Sequence, residues 1–373
     1  MSNRVVLLGA GHAHLEVLRR FARRPVTGTD LTLVTPQALT PYTGMIPGLI
    51  AGRFQTGDAS IDAHKLAQAA KAETYLTHGT EIDVRNRSVT CADGKVLNYD
   101  YLSINIGART VPPFDIDPAG PRVLGVKPVE QLLQTLRDVF EQTKTPRITL
   151  AGGGAGGIEI AAALSARGAA VTLVTGATGL LPRAPKKARK RILKRLRKAQ
   201  VTVHEKKSLI GTEPENADKD GLALLSDGSS VATDLIILAT GVAAPALFDE
   251  IDLPKSPDGF LKVNTFLQSA ADTRIFAAGD CISFPVFQDD RPLPRAGVYA
   301  VRQGPVLAHN LHATLTGKKM RDYTAQENHL AILSLHPNNA VGIKGKRVFA
   351  GPLIAKLKDV IDRRFIARYR AAE

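Results

Sequence analysis

One pattern occurs twice in this chain, and it predicts an α/β fold: two similar domains followed by a small C-terminal one. Residues 4–35 read RVVLLGAGHAHLEVLRRFARRPVTGTDLTLVT, and residues 147–175 read RITLAGGGAGGIEIAAALSARGAAVTLVT. Each copy is a short β-branched strand, a glycine turn, a helical stretch and a second strand ending Leu-Val-Thr. The sequel repeats as well. Asp93-Gly94 and Asp227-Gly228 each mark a hairpin turn, and Asp100 and Asp234 each stand seven residues before a glycine, Gly107 and Gly241. Composition agrees: 373 residues suit two to three domains, and 44% hydrophobic with 23% charged residues excludes wholesale disorder.

In chain order, Met1-Ser2-Asn3-Arg4 leads straight into an apolar strand and then Gly9-x-Gly11, without a signal-peptide pattern. His14 stands where a third glycine would complete GxGxxG. A helix, a strand, a β-meander and the buried run YDYLSINIGA follow; apolar strands of this kind suit a parallel sheet covered on both faces. In the second copy Gly152, Gly154 and Gly157 complete the fingerprint, between a strand over Ile148–Ala151 and a helix predicted over Gly156–Arg167. The first glycine permits the tight turn, the second lets backbone approach a pyrophosphate, and the third packs helix on strand. Phosphate then sits on free N–H groups at the positive helix end. These are βαβ units of two Rossmann-like dinucleotide-binding domains of three-layer ββα type.

A further buried strand, IFAAGDC at 275–281, ends at Gly279-Asp280, and a helix entered from 294–304 runs to about Leu315. Residues 329–349 read as a small β-hairpin region and 352–370 as a terminal helix. Its Leu353, Ile354, Leu357, Val360, Ile361, Phe365 and Ile366 recur at helical spacing. Lys356, Lys358, Arg363, Arg364, Arg368 and Arg370 supply a basic polar side, suited to the protein's own core, an interface or an anionic membrane surface. The expected domains are 1–112 with 242–315, an inserted 113–241, and 316–373.

Several classes are excluded. No stretch reaches the ~20 apolar residues of a membrane helix; the best, Leu235 to Phe248, is broken by Thr240, Gly241 and Pro245. Two cysteines, Cys91 and Cys281, argue against a disulfide scaffold and for a cytoplasmic protein. The net charge of +14 attracts anionic partners. From Arg183 to Lys198 ten of sixteen residues are basic and none is acidic, which fits a solvated helix face, a 2′-phosphate site or an acidic lipid surface. Nucleic acid is disfavoured, because neither a recognised module nor interleaved aromatics accompany the run. His12 with His14 and His309 with His312 lack the carboxylates or cysteines that would complete a metal site.

Gly9-x-Gly11, the strand ending Ala239-Thr240-Gly241, and Gly279-Asp280 resemble the three fingerprints of FAD-dependent pyridine nucleotide-disulfide oxidoreductases, over nearly the whole chain. The resemblance implies non-covalent FAD on the first unit, NAD(P)H on the second, and a hydrogen bond from Asp280 to a ribityl hydroxyl. The FAD contacts it implies are Gly9, Gly11, His12, Ala13, His14, Thr35, Pro36, Gly44, Met45, Gly107, Ala108, Arg109, Gly279, Asp280, Arg295, Ala296 and Gly297. His12 and His14 would lie near the FAD phosphates. For NAD(P) they are Gly152, Gly154, Gly157, Glu159, Thr175 and Gly241, and no side chain is assigned as a covalent catalyst. Thr35 and Thr175 stand where an acidic residue normally binds ribose hydroxyls, so no strong rejection of NADPH is expected. Glu159 matches a family glutamate near the nicotinamide, although first-turn capping explains it equally well.

Neither CxxC nor CxxxxC occurs, which argues against the disulfide reductases, and sulfide:quinone oxidoreductases also rely on cysteines. What remains resembles the type II NADH dehydrogenase-like branch. TPYTGMIPG at 40–48 and PRAGVYAVRQG at 294–304 are similar to the flavoprotein domain fused to selenophosphate synthetase in some bacteria. In that family the start of the second segment's helix points at the flavin pyrimidine edge, where its positive end would stabilise negative charge. Core packing for Tyr299 and a solvated end for Gln303 are the plainer readings. The implied reaction passes electrons from NAD(P)H through flavin to a small acceptor, foremost a quinone. The alternative is a flavoprotein electron carrier or redox partner in selenium metabolism with a weak nicotinamide site. A homodimer and peripheral contact with the inner face of the cytoplasmic membrane complete the expectations.

Overall fold

The two repeats fold as two five-stranded parallel sheets, in a computed structural model that describes residues 2–214, 221–285, 293–326, 329–335 and 337–370. In chain order the strands are β1 (Asn3–Leu8), β2 (Thr29–Val34), β3 (Glu73–Tyr75), β4 (Tyr101–Ile104), β5 (Arg122–Gly125), β6 (Arg147–Ala151), β7 (Ala170–Val174), β8 (Thr202–His204), β9 (Leu235–Leu238) and β10 (Ile275–Ala277). Their spatial orders are β10-β4-β1-β2-β3 and β5-β9-β6-β7-β8. The first sheet takes its edge strand from beyond the second, so the second is inserted in the chain between β4 and β10. Sequence and register explain the parallel pairing. Val5, Val6, Leu7 and Leu8 are at most 2% exposed, and β1 lies in register between β2 and β4. Burying each such side chain stabilises by ~1.5–3 kcal/mol.

Helices α1 (His12–Arg23), α2 (Ala155–Ala166), α3 (Lys186–Lys198), α4 (Gly297–Leu315) and α5 (Pro352–Arg370) matter most to the site. The strand over 148–151 starts one residue earlier than expected, and α2 is offset by one residue from the predicted span. Each domain adds a three-stranded antiparallel meander, at 79–98 and 209–233, turning at Asp93-Gly94 and Asp227-Gly228. Both turn glycines have φ of +82°, a backbone only glycine adopts freely.

The C-terminal region is a three-stranded meander rather than a hairpin: β11 (Ala331–Ser334), β12 (Ala340–Lys344) and β13 (Arg347–Gly351), followed by α5. This sheet packs on α3, and its Val341, Ile343 and Val348 belong to the same apolar cluster as Ile192 and Leu196 of that helix. It also approaches α5, where Gly342 leaves room for Ile354. Helix α5 is tied back to the first domain through Arg53–Asp359 at 2.6 Å and Arg368–Glu16 at 3.0 Å. The C-terminal segment thereby bridges the two sheets.

The helix divides the apolar stripe read from the sequence: Ile366 is buried, Ile354 and Phe365 are half-buried, and the rest is exposed. Leu353, Leu357, Val360 and Ile361 are 78%, 43%, 45% and 42% exposed, whereas Lys358 and Asp362 are buried. The inward face buries the Lys358–Asp362 pair together with Ala355, Ile366 and Tyr369.

Candidate functional site

A cleft of about 1570 Å³ opens at the carboxyl ends of the first sheet's strands and extends between the domains and α5. Strand order reverses at β1, and a crevice forms there because the connections leave in opposite directions. Of the expected FAD contacts, Gly9, Gly11, His12, Thr35, Pro36, Gly44, Gly107, Ala108, Arg109, Gly279, Asp280, Arg295, Ala296 and Gly297 line it.

Three do not, each for a physical reason. The Ala13 N–H is spent on Asn105 Oδ1 at 3.1 Å. Met45 is 2% exposed in the core. His14 is a core residue and not a phosphate neighbour: its Nδ1 meets the Gly9 carbonyl at 2.5 Å and its Nε2 meets Ser103 Oγ at 2.8 Å. A carbonyl only accepts, so Nδ1 carries the proton and Nε2 accepts from the serine. Burial lowers the His14 pKa to about 4, keeping this tautomer neutral. The imidazole thus fills the space between helix and strand that a third glycine would close.

Asn105 organises the first loop, although it belongs to none of the glycine fingerprints. It terminates β4, and Nδ2 donates to the Ala278 carbonyl at 2.6 Å. Oδ1 also accepts from His14 N–H at 3.3 Å. A Cβ on Gly9 would stand 2.6 Å from the Asn105 carbonyl, and one on Gly11 would strike its side chain, so both glycines are required by packing. The one available signal is a polar residue inside the apolar run SINIGA. Gln303 is also buried, not a solvated end: its Oε1 accepts the Gly279 N–H at 2.6 Å. Asp280 faces the cleft with Oδ2 paired to Lys127 Nζ at 2.8 Å, which leaves Oδ1 for a ligand hydroxyl. Lys127 stands in the chain between β5 and the next helix, where no motif announces it.

Opposite this wall lies a buried polar cluster. Lys358 Nζ donates to the Gly44 carbonyl and pairs with Asp362 Oδ2, both at 2.9 Å. The Tyr42 hydroxyl donates to Asp362, and its ring stacks on Phe365 with centroids 4.3 Å apart. Burial raises the Asp362 pKa, with Lys358 opposing. Glu159 lines the same cleft from α2 and accepts the Ser334 N–H at 2.8 Å. Burial raises its pKa to about 7, against the pull of Lys358 and that hydrogen bond. His12 sits 5.7 Å from the Tyr42 ring and is held neutral, near pKa 4, by burial and then by Lys127.

The second glycine loop has the geometry of a phosphate turn. Gly152 has φ +135° and Gly157 lies against the Gly152 carbonyl, so neither tolerates a side chain. Gly154 is the N-cap of α2, and a Cβ placed on it would meet nothing within 4 Å. Gly154, Ala155 and Gly156 are all exposed. Gly241, after β9, is equally open. Thr175 is not free to bind a ribose: its Oγ1 accepts the Lys206 N–H at 3.0 Å and faces the His204 carbonyl at 3.3 Å. Among the described residues there is no cluster of histidine, cysteine and carboxylate able to hold a metal ion.

The residues present fit a flavin dinucleotide: a glycine turn lining the cleft, the N-terminus of α1 beside it and a carboxylate oxygen of Asp280 left open to the cleft. Residues 3–310 match the family model described as pyridine nucleotide-disulphide oxidoreductase. Ferroptosis suppressor protein 1 of Taeniopygia guttata is 29% identical over 70% of this chain and 68% of its own length. The type II NADH:quinone oxidoreductase of Staphylococcus epidermidis is 25% identical over 97% and 95%. Among solved structures, NDH2 from Plasmodium falciparum in complex with NADH superposes with TM-score 0.81 at 14% identity, over 100% of this chain and 97% of that one. Two longer structures of the same fold are spanned to 66% and 63% of their length.

Proposed function

The chain belongs to the pyridine nucleotide-disulphide oxidoreductase family, and from that premise we propose that it passes electrons from NAD(P)H through FAD to a quinone. When bound, FAD supplies the two-electron relay between the nicotinamide and the acceptor. The protein's own residues hold, orient and protonate. Gly9, Gly11 and the start of α1 receive the FAD pyrophosphate, Asp280 takes a ribityl hydroxyl, and the Gly152–Gly157 turn receives the nicotinamide dinucleotide. Cys91 and Cys281 are separate, buried and free, and burial pushes the Cys281 thiol up to about 12. Electrons therefore leave without a protein dithiol, as direct reduction of a small acceptor requires.

The observation that carries the quinone reading is Glu159. A quinone reduced by two electrons takes up two protons, and a cleft carboxyl with pKa about 7 is part-protonated at neutral pH. Lys358 and Asp362 stand close enough to act on its charge, and Ile361 and Phe365 give the mouth an apolar side. A relative whose name specifies quinone matches nearly end to end. The test is stopped-flow bleaching of the flavin by NADH and NADPH, then reoxidation by a panel of short-chain quinones, dioxygen and ferricyanide. Fast reoxidation by quinone supports the reading. A flavin that neither nucleotide bleaches, or one that dioxygen reoxidises as fast as quinone, overturns it.

A further inference from the structure

We propose that Lys206 reads the 2′-phosphate of NADPH and makes the second dinucleotide site selective for the phosphorylated cofactor; this rests on the reading of the Gly152–Gly157 turn as the nicotinamide site. At the end of β7 the residue that would contact the adenosine ribose is Thr175, and its hydroxyl is consumed by backbone. One of those bonds is the Lys206 N–H itself, which folds the turn after β8 back against the end of β7.

Lys206 has φ +59°, a left-handed conformation that glycine adopts without cost and a lysine does not. The strain is borne by an exposed residue. Its stem lies 3.7 Å from where a Cβ on Gly179 would stand. The Gly179 carbonyl in turn lies 2.6 Å from the corresponding point on Gly153, next to Gly154. One glycine thus separates the lysine from the turn that approaches the pyrophosphate.

The adjacent Lys207 is engaged, paired with Asp227 at 2.5 Å. Lys206 has no carboxylate partner among the described residues. A lysine anchored by its own N–H to the strand end, with no acid in the ribose position, favours a dianionic phosphate over a hydroxyl.

The experiment is calorimetric titration of FAD-loaded protein with adenosine 2′,5′-bisphosphate and with AMP, which differ only in the 2′-phosphate. The wild type should bind the bisphosphate about tenfold more tightly or better, the size of a charge-assisted contact. Lys206→Gly, which relieves the left-handed strain and so keeps the fold, should collapse that ratio to about one. Lys206→Glu should invert it. A ratio that survives Lys206→Gly, or a wild type that binds both ligands alike, overturns the assignment. Flavin reduction by NADH and NADPH in the same variants separates the two layers. Bleaching by both at equal efficiency sinks only the role of Lys206, whereas bleaching by neither sinks the nicotinamide site itself.

Discussion

Glu159 and Asp280 are carboxylates in one cleft whose surroundings assign them different work. For Glu159 burial dominates, and its proton is lost only near pH 7. The sign follows: the protonated donor is present below that value and disappears as pH rises through it. Quinone-dependent reoxidation should therefore fall above pH 7 in the wild type. Glu159→Gln should be pH-independent over the same range and roughly a hundredfold slower, the usual size of a general-acid contribution. A wild-type profile that stays flat from pH 6 to 8.5 removes Glu159 from proton delivery. Asp280 instead stays beside Lys127, with one oxygen open to the cleft. Asp280→Ala should cost a charge-assisted hydrogen bond of ~1.5–3 kcal/mol. FAD retention, measured as flavin remaining after gel filtration against increasing dilution, should weaken accordingly. Undiminished retention would show that the ribityl chain is held elsewhere.

At the scale of the element, the two glycine turns look alike in sequence and differ in what their glycines are for. Gly9 and Gly11 are required by Asn105, which presses on both. Gly154 has open space where a side chain would stand. Gly154→Val should consequently leave the melting temperature nearly unchanged while obstructing the pyrophosphate. Flavin reduction should slow by roughly a hundredfold, as misplacement of a bound reactant commonly does, with FAD content intact. Equal reduction rates in the two proteins would move the nicotinamide site away from this turn. Helix α5 makes the complementary point: its apolar periodicity is genuine, but a buried Lys358–Asp362 pair shares the inward face with Ile366, and Leu353, Leu357, Val360 and Ile361 are left exposed.

For the whole molecule, the exposed apolar residues of α5 and the charge combine. No helix among the described residues is long and apolar enough to cross a membrane. Leu353, Leu357 and Val360 are nevertheless exposed beside Lys356, Arg363 and Arg364, on the helix whose Ile361 and Phe365 line the cleft. A quinone held in lipid would enter from that side. Co-sedimentation with anionic vesicles should occur at low salt, each cation adding at most ~1 kcal/mol. It should weaken as the Debye length shortens from ~10 Å at 0.1 M toward ~3 Å at 1 M. Leu353→Glu with Leu357→Glu should abolish it while short-chain quinone reduction in solution continues. Indifference to anionic vesicles at low salt would point to a water-soluble acceptor.

The duplicated βαβ unit, both parallel sheets, the Gly152–Gly157 turn and the span of α5 are legible in the residues, because each follows from local periodicity and glycine placement. Which glycines pack and which face ligand is not, since that depends on what lies across the turn, and Asn105 is far from Gly9 in the chain. His14 reads as a loop residue and is a core tautomer through Ser103, a partner on a strand that only the sheet brings near. Lys358 reads as part of a solvated basic face. The tertiary structure buries it because Gly44, Asp362 and Glu159 converge on the same point from three separate segments, and a charge is buried where partners already wait for it. Local pattern determined the scaffold; the chemistry of the cleft was decided by residues that meet only after the chain has closed on itself.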